Sequence, residues 1–133
     1  MSTLQTFQND HRFCRIGEYL LTATGAIQRV ADVQITDRLP LVYAIFSEDE
    51  PRYIGKTVQG YSRPLGYHKN DVMTGVRDGI AAELRAGRSV TVWVRTEQLH
   101  TDYEGLRLNL IDAIEMALIK KYLPPWNNQV HED

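Results

Sequence analysis

Among its 133 residues the chain has a single cysteine, Cys14, which excludes an intrachain disulfide and any zinc site built on cysteine pairs. No apolar run approaches the roughly 20 residues that a membrane-spanning helix needs, so no membrane partner is expected. The opening residues Met1-Ser2-Thr3-Leu4-Gln5 lack the basic start and apolar block of a secretory signal, and a cytoplasmic location is the expectation. Low-complexity tracts and internal repeats are also missing. Nor is there an excess of positive charge. The formal net charge is −2, which argues against a protein that coats nucleic acid tightly and without regard to sequence, since basic patches supply most of that affinity.

What is present is the make-up of a globular domain. Hydrophobic residues are 43% and charged residues 24% of the chain, ordinary values, and a chain of this length builds one core. A single domain over 1–133 is expected, with 1–40 as an N-terminal extension and the core over 41–128. Between His11 and Ala23, Phe13, Ile16, Tyr19 and Leu20 fall at helical spacing before Gly25. That pattern predicts a helix, with Asn9 or Asp10 as its cap. The stretch from Ile27 to Ile35 mixes periods and reads equally as a strand or an irregular arm.

Leu41-Val42-Tyr43-Ala44-Ile45 and Arg52-Tyr53-Ile54-Gly55-Lys56-Thr57 are strand-forming runs separated by the polar Phe46–Pro51 insert. They predict an antiparallel hairpin with strands over about 41–47 and 52–56. After it, Arg63-Pro64-Leu65-Gly66 allows only a short or broken helix. A better helix begins at Asp71, with Val72, Val76, Ile80 and Leu84 at four-residue steps and Gly87 past its end. Ser89–Val94 reads as a third strand. A last helix is expected to start between Asp102 and Glu104 and to stop before Pro124-Pro125, burying Leu106, Leu110, Ile111, Ile114, Leu118 and Ile119. The resulting expectation is an α+β fold. It has a small three-stranded antiparallel sheet flanked by helices in the order β-β-α-α-β-α, with an N-terminal helical extension.

The hairpin brings Tyr43 and Tyr53 together if its register puts them on one face. Two phenols at one spot are an odd way to fill a core, because each buried hydroxyl needs a partner. They suit a site that handles a proton or a phosphate. Arg63 follows ten positions after Tyr53, and Tyr67 four later. Glu115 sits within the apolar run from Ala113 to Ile119, and Trp126-Asn127 closes the series. Tyr53-Ile54-Gly55, Arg63, Glu115 and Asn127 in this order resemble the GIY-YIG nuclease superfamily. Leu41-Val42-Tyr43 stands where Gly-Ile-Tyr is usual in that family, keeping only its tyrosine. The resemblance spans about residues 41–128 and implies the same α+β fold, with a central three-stranded antiparallel sheet.

The resemblance further implies a divalent-metal-dependent endonuclease acting on DNA. Hydrolysis of a phosphodiester needs an activated water, stabilisation of charge at phosphorus and help for the leaving oxygen, usually with a hard cation. Glu115 is the candidate metal ligand for one Mg2+ or Mn2+ ion. A carboxylate beside the buried face of a helix is costly unless partnered, and the positions one turn away on its own helix hold no cation. A pairing with another segment is the plain alternative. Tyr43 or Tyr53 is the candidate base, with Tyr43 preferred. An ordinary phenol, with a pKa of about 10, is a poor base at neutral pH, and Lys56 is the nearby cation placed to lower it.

Arg63 is the candidate for the scissile phosphate, a task suited to a forked guanidinium; the alternative is an ordinary surface arginine. Tyr67 matches a position that is tyrosine or histidine in relatives, and the adjacent His68 would serve substrate binding if the register shifts. Gly55 is assigned to close approach of backbone or substrate. Asn127 is assigned to hold the site's shape, its alternative being a turn residue after Pro-Pro. Between Arg52 and Lys69 the chain has Arg52, Lys56, Arg63 and Lys69 and no acidic residue, so this edge is expected to be positive. Specificity would come from residues 1–40, from the 61–78 region, from homodimerisation or from a protein partner. A non-catalytic nucleic-acid-binding or protein-interaction module on the same fold is the rival reading.

Overall fold

The computed structural model describes residues 1–69 and 74–127. Chain order gives α1 (Thr3–Asn9), β1 (Cys14–Leu21), β2 (Ile27–Ala31), β3 (Leu41–Ser47) and β4 (Glu50–Thr57). A 3-10 turn at Gly60–Ser62 follows, then α2 (Thr74–Arg85), β5 (Val90–Arg95), β6 (His100–Tyr103), β7 (Leu106–Asn109) and α3 (Ile111–Tyr122). The expected α+β class holds, but the sheet does not have three strands. Among the described residues it has five antiparallel strands in the order β2-β1-β5-β3-β4, and β6 and β7 form a separate two-stranded ribbon.

The interior strand β3 is buried along its whole length, as a strand with a layer on each face must be. Alternation sorts its side chains. Leu41, Tyr43 and Ile45 join Tyr19, Tyr53, Val90, Val92 and Val94 under α2, whose Val76 and Ile80 complete that layer. Val42, Ala44 and Phe46 face the other way, against Phe7 of α1 and Ile111 and Leu118 of α3. Each face is therefore closed by a helix, and β4 remains at the edge.

Three expectations fail locally. The helix over His11–Ala23 is a strand, and the helix that is present, α1, is capped by Ser2 and ends at Asp10. Arg12 has φ 64°, a left-handed backbone that ends helical winding before Phe13. The helix-like spacing arises because a register shift between Arg15 and Gly17 interrupts the pairing of β1 with β5. Such a bulge inserts a residue into the two-residue alternation. The Ile27–Ile35 stretch resolves as the strand β2 over its first five residues. The last helix begins at Ile111, not at 102–104. Glu104 and Gly105 have φ of 53° and 79°, the two positive values of a tight hairpin turn, and they fold His100–Asn109 into the ribbon, leaving Leu106 exposed. The hairpin over 41–57, the broken segment after Arg63 and the third strand stand close to where the sequence put them. The expected start of α2 at Asp71 and Val72 lies outside the described residues.

Candidate active site

The β3–β4 register pairs Tyr43 with Gly55 and Ile45 with Tyr53, so the two tyrosines are diagonal neighbours on one face. Their ring centroids are 6.1 Å apart. Gly55 explains how Tyr43 fits. A Cβ there would stand 2.7 Å from both Cζ and Oη of Tyr43, closer than two heavy atoms can pack. The close approach at Gly55 is thus made by a tyrosine ring of the protein itself.

Tyr67 joins them from the loop after the 3-10 turn. Its hydroxyl lies 2.7 Å from that of Tyr43, its ring centroid is 6.4 Å from that of Tyr53, and Tyr53 is hydrogen-bonded into the same cluster. The three phenols are nearly sealed from solvent, at 1% exposure for Tyr43, 9% for Tyr53 and 0% for Tyr67. Burial is the main reason that all three resist ionisation. Tyr53 is pushed up to about 12, Tyr43 well above its usual range, and Tyr67 upward as well. Arg63 works against this: its charge favours the ionised form of each phenol, and its guanidinium carbon sits 5.8 Å from the centroid of the Tyr67 ring, within cation–π range.

Glu115 comes to the cluster from the opposite layer. α3 packs on the far face of the sheet close to the edge strand β4, and from there the half-buried Glu115 carboxylate acts electrostatically on both Tyr53 and Lys56. Lys56 itself is engaged by Asp112 on the same helix. The cation that lowers the phenols is therefore Arg63.

Asn127 closes the edge. Its side-chain oxygen accepts from the Ile54 N–H at 2.8 Å, and its amide nitrogen donates to the Ile54 carbonyl at 2.8 Å. A side chain thereby supplies the two ladder bonds that β4 would otherwise leave open, with Tyr53 and Gly55 on either side. Beside it, the Trp126 N–H donates to the Arg52 carbonyl at 2.9 Å, and the indole fits against α2 because residue 79 is glycine, where a Cβ would stand 2.5 Å from the ring.

No protein-family model and no curated protein matches this chain. Among solved structures, a glutamate-to-alanine variant of bacteriophage T4 EndoII matches with a TM-score of 0.71 at 24% identity, over 95% of this chain and 98% of that one. The chain shares the fold of that structure. A restriction endonuclease, HPY188I, in complex with product DNA, matches with a TM-score of 0.48 at 14% identity, over 100% of this chain and 84% of that one.

On this shared fold, Tyr43, Tyr53, Arg63, Tyr67, Gly55, Glu115 and Asn127 gather at one edge of the sheet. His68, although next to Tyr67 in sequence, lines a groove beside α2. The expected positive edge is partly neutralised, because Arg52 lies between Glu50 and Glu83 at 3.3 and 3.6 Å and Lys56 is paired with Asp112.

Sequence reasoning missed Tyr19. From β1, its hydroxyl donates to the Pro64 carbonyl at 2.7 Å and accepts from the Tyr67 N–H at 3.0 Å. These two bonds pin the loop that carries Arg63 and Tyr67 onto the sheet. A buried tyrosine in an apolar segment signals that its hydroxyl has a partner, but nothing local says which.

Proposed function

We propose that this protein is a divalent-metal-dependent endonuclease that hydrolyses DNA phosphodiester bonds. The observation that carries the reading is the convergence of three hydrogen-bonded tyrosines, Arg63 and Glu115 at one edge of the sheet. Such a group is poorly explained as core, since it combines buried phenols with a guanidinium and a carboxylate. The fold shared with T4 EndoII supports the same class of activity.

Each residue then has a task. Arg63 binds the scissile phosphate and meets the negative charge that grows at phosphorus. Tyr43 takes the proton of the attacking water. Burial keeps its resting phenol neutral even with Arg63 nearby, so it first releases its own proton to solvent and, as a phenolate, accepts one from the attacking water. Tyr67 holds the Tyr43 hydroxyl in place, and Tyr53 sits between the phenol cluster and Glu115. Asn127 fixes the strand under both.

The donor set fits a hard cation. Glu115 offers carboxylate oxygens in a site whose other groups are oxygen-bearing phenols, as Mg2+ or Mn2+ prefers. Among the described residues no group of three or more His, Cys, Asp or Glu side chains is arranged to hold an ion, so water and substrate phosphate would complete the shell around Glu115. When bound, the ion would polarise the phosphate and favour ionisation of water.

A nicking assay on supercoiled plasmid tests the reading. Cutting should require Mg2+ or Mn2+, vanish with chelator, and be lost in Glu115→Gln while the variant keeps its fold by circular dichroism. A folded parent protein that leaves plasmid DNA intact in both metals would overturn it and favour a binding module on the same fold.

A further inference from the structure

The loop that delivers Arg63 and Tyr67 is loosely held by its own backbone. The Arg63 N–H donates to the Gly60 carbonyl at 3.4 Å, the Leu65 N–H to that of Tyr61 at 3.2 Å, and the Gly66 N–H to that of Arg63 at 3.2 Å. All three are longer than the about 2.9–3.0 Å usual for such bonds. Arg29 on β2 reaches the Leu65 carbonyl at 3.5 Å, the outer limit of a hydrogen bond. The two bonds from Tyr19 are tighter, at 2.7 Å to the Pro64 carbonyl and 3.0 Å from the Tyr67 N–H. They grip the loop directly after Arg63 and again at Tyr67. Between those points the buried Leu65 lies over Gly17 of the same strand, where a Cβ would stand 3.0 Å from its Cδ2.

Tyr19 is itself a firm support. Its strand β1 is bonded on both sides, with Tyr19 opposite Arg29 of β2 and Val90 of β5. Groups mounted on paired strands hold their places better than groups on loops. The Tyr19 ring is fully buried, which keeps it from substrate, so it acts only through what it holds. Those groups move together. The Tyr67 hydroxyl lies 2.7 Å from that of Tyr43, and the Arg63 guanidinium carbon lies 5.8 Å from the centroid of the Tyr67 ring. A shift of this loop therefore displaces the guanidinium and the partner of the Tyr43 phenol at once.

Resting on the nuclease reading, we propose that Tyr19 is a positioning residue of the reaction. Its hydroxyl sets where Arg63 meets the phosphate and where Tyr67 holds Tyr43. The strand β1, which precedes the stretch resembling the nuclease family, is then part of the active site. The N-terminal region contributes to the rate of the chemical step, and not only to the choice of DNA.

Tyr19→Phe tests the role, since it removes one oxygen, leaves the ring in place and deprives the Pro64 carbonyl and the Tyr67 N–H of their partner. Well below the melting temperature, single-turnover cleavage at saturating DNA with Mg2+ should fall on the order of a hundredfold, the cost of about 1 Å of misplacement in a reacting group. Affinity for a fluorescent duplex in chelator should stay within about twofold, because the displaced contacts count mainly in the transition state. Phe7→Leu, on α1 in the opposite layer, is the control. It should lower the melting temperature and leave rate and affinity like those of the parent. A folded Tyr19→Phe protein that cuts at the parental rate would overturn the proposal and return Tyr19 to the core. An equal loss of rate in Phe7→Leu, or a loss of affinity as large as the loss of rate, would do the same. Hydrogen exchange on the parent needs no variant. The Tyr67 amide should exchange at least about tenfold more slowly than those of Arg63 and Gly66, and equal rates would refute the pin even if Tyr19→Phe fails to fold. A parent that leaves DNA intact would remove the nuclease reading and this role with it.

Discussion

A single methyl group added at Gly55 should disturb the tyrosine cluster more than most larger changes elsewhere. In Gly55→Ala the new Cβ would lie 2.7 Å from Cζ and Oη of Tyr43 and 3.0 Å from Cε1. Carbon atoms pack at about 3.5–4.0 Å, so the ring must retreat by about 1 Å. It has little room to do so. Tyr43 is 1% exposed, flanked by Tyr53 and tied to the Tyr67 hydroxyl. Overpacking of this kind costs about 1–3 kcal/mol, a fall in Tm of roughly 3–12 °C for a domain of this size. A displacement near 1 Å in a reacting group costs on the order of a hundredfold in rate. Thermal melting and single-turnover cleavage read the two effects separately. On a Tyr43→Ala background the clash is gone, so adding Gly55→Ala should cost less than about 0.5 kcal/mol, and the cycle should return a clear coupling energy. A Gly55→Ala protein that melts and cuts like its parent would refute the argument. So would an equal penalty on both backgrounds.

Asn127→Ala orphans the N–H and carbonyl of the fully buried Ile54. It should cost roughly 2–6 kcal/mol by urea unfolding, from about 1–3 kcal/mol for each of the two unsatisfied groups, and an unchanged midpoint would show that water serves the strand edge equally well. The phenols predict alkaline sensitivity. The folded chain keeps Tyr53 protonated up to about 12, whereas the unfolded chain releases that proton near about 10. The contribution is therefore intact below about pH 10 and is lost as pH rises through about 12, at about 1.4 kcal/mol per pH unit for one phenol. Tyr53→Phe should flatten that decline in urea titrations between about pH 9 and pH 11.5, and parallel curves would contradict the burial argument. Arg63→Lys should not restore activity lost in Arg63→Ala, because a point charge cannot reproduce the fork, and the single-turnover rate should fall far more than DNA affinity. A lysine variant that cuts like the parent would reduce Arg63 to general attraction for DNA.

The parts of the fold that were readable are those where local chemistry and tertiary packing agree. Leu41–Thr57 is a hairpin by composition and a hairpin in the sheet, and Pro124-Pro125 ends α3 wherever that helix begins. The failures have one kind of cause, an irregularity that imitates another period. At Phe13, Ile16 and Tyr19 a bulge spaces strand residues like helix residues. At Leu106 and Leu110, a ribbon strand and the helix cap beyond it supply the first two positions of an apparent helical stripe. In both places the deciding feature is backbone of positive φ, at Arg12 and at Glu104-Gly105. Only Gly105 gives any hint of it in composition.

Tyr43 and Tyr53 stand out as two phenols in one hairpin, and Arg63, Glu115 and Asn127 by an order along the chain that resembles a known nuclease family; the fold brings them near one another. Their supports give no such sign. Tyr19 is 45 residues from Pro64 and 48 from Tyr67, and its role exists only once β1 lies beneath that loop. Charge counted along the chain also misled, since Arg52 and Lys56 meet carboxylates supplied by α2 and α3. The cationic face of α2 is the opposite case. Arg77, Ala81 and Arg85 could have been placed together from their spacing alone, yet a lone pair of arginines on a helix is ordinarily a solvated face. What makes it one wall of a groove is Ile27 and His68 across from it, brought there by β2 and by the loop that Tyr19 pins. The placement of Arg63 and Tyr67 thus depends on two bonds from one phenol, in a segment whose spacing reads as a helix and which folds as a strand.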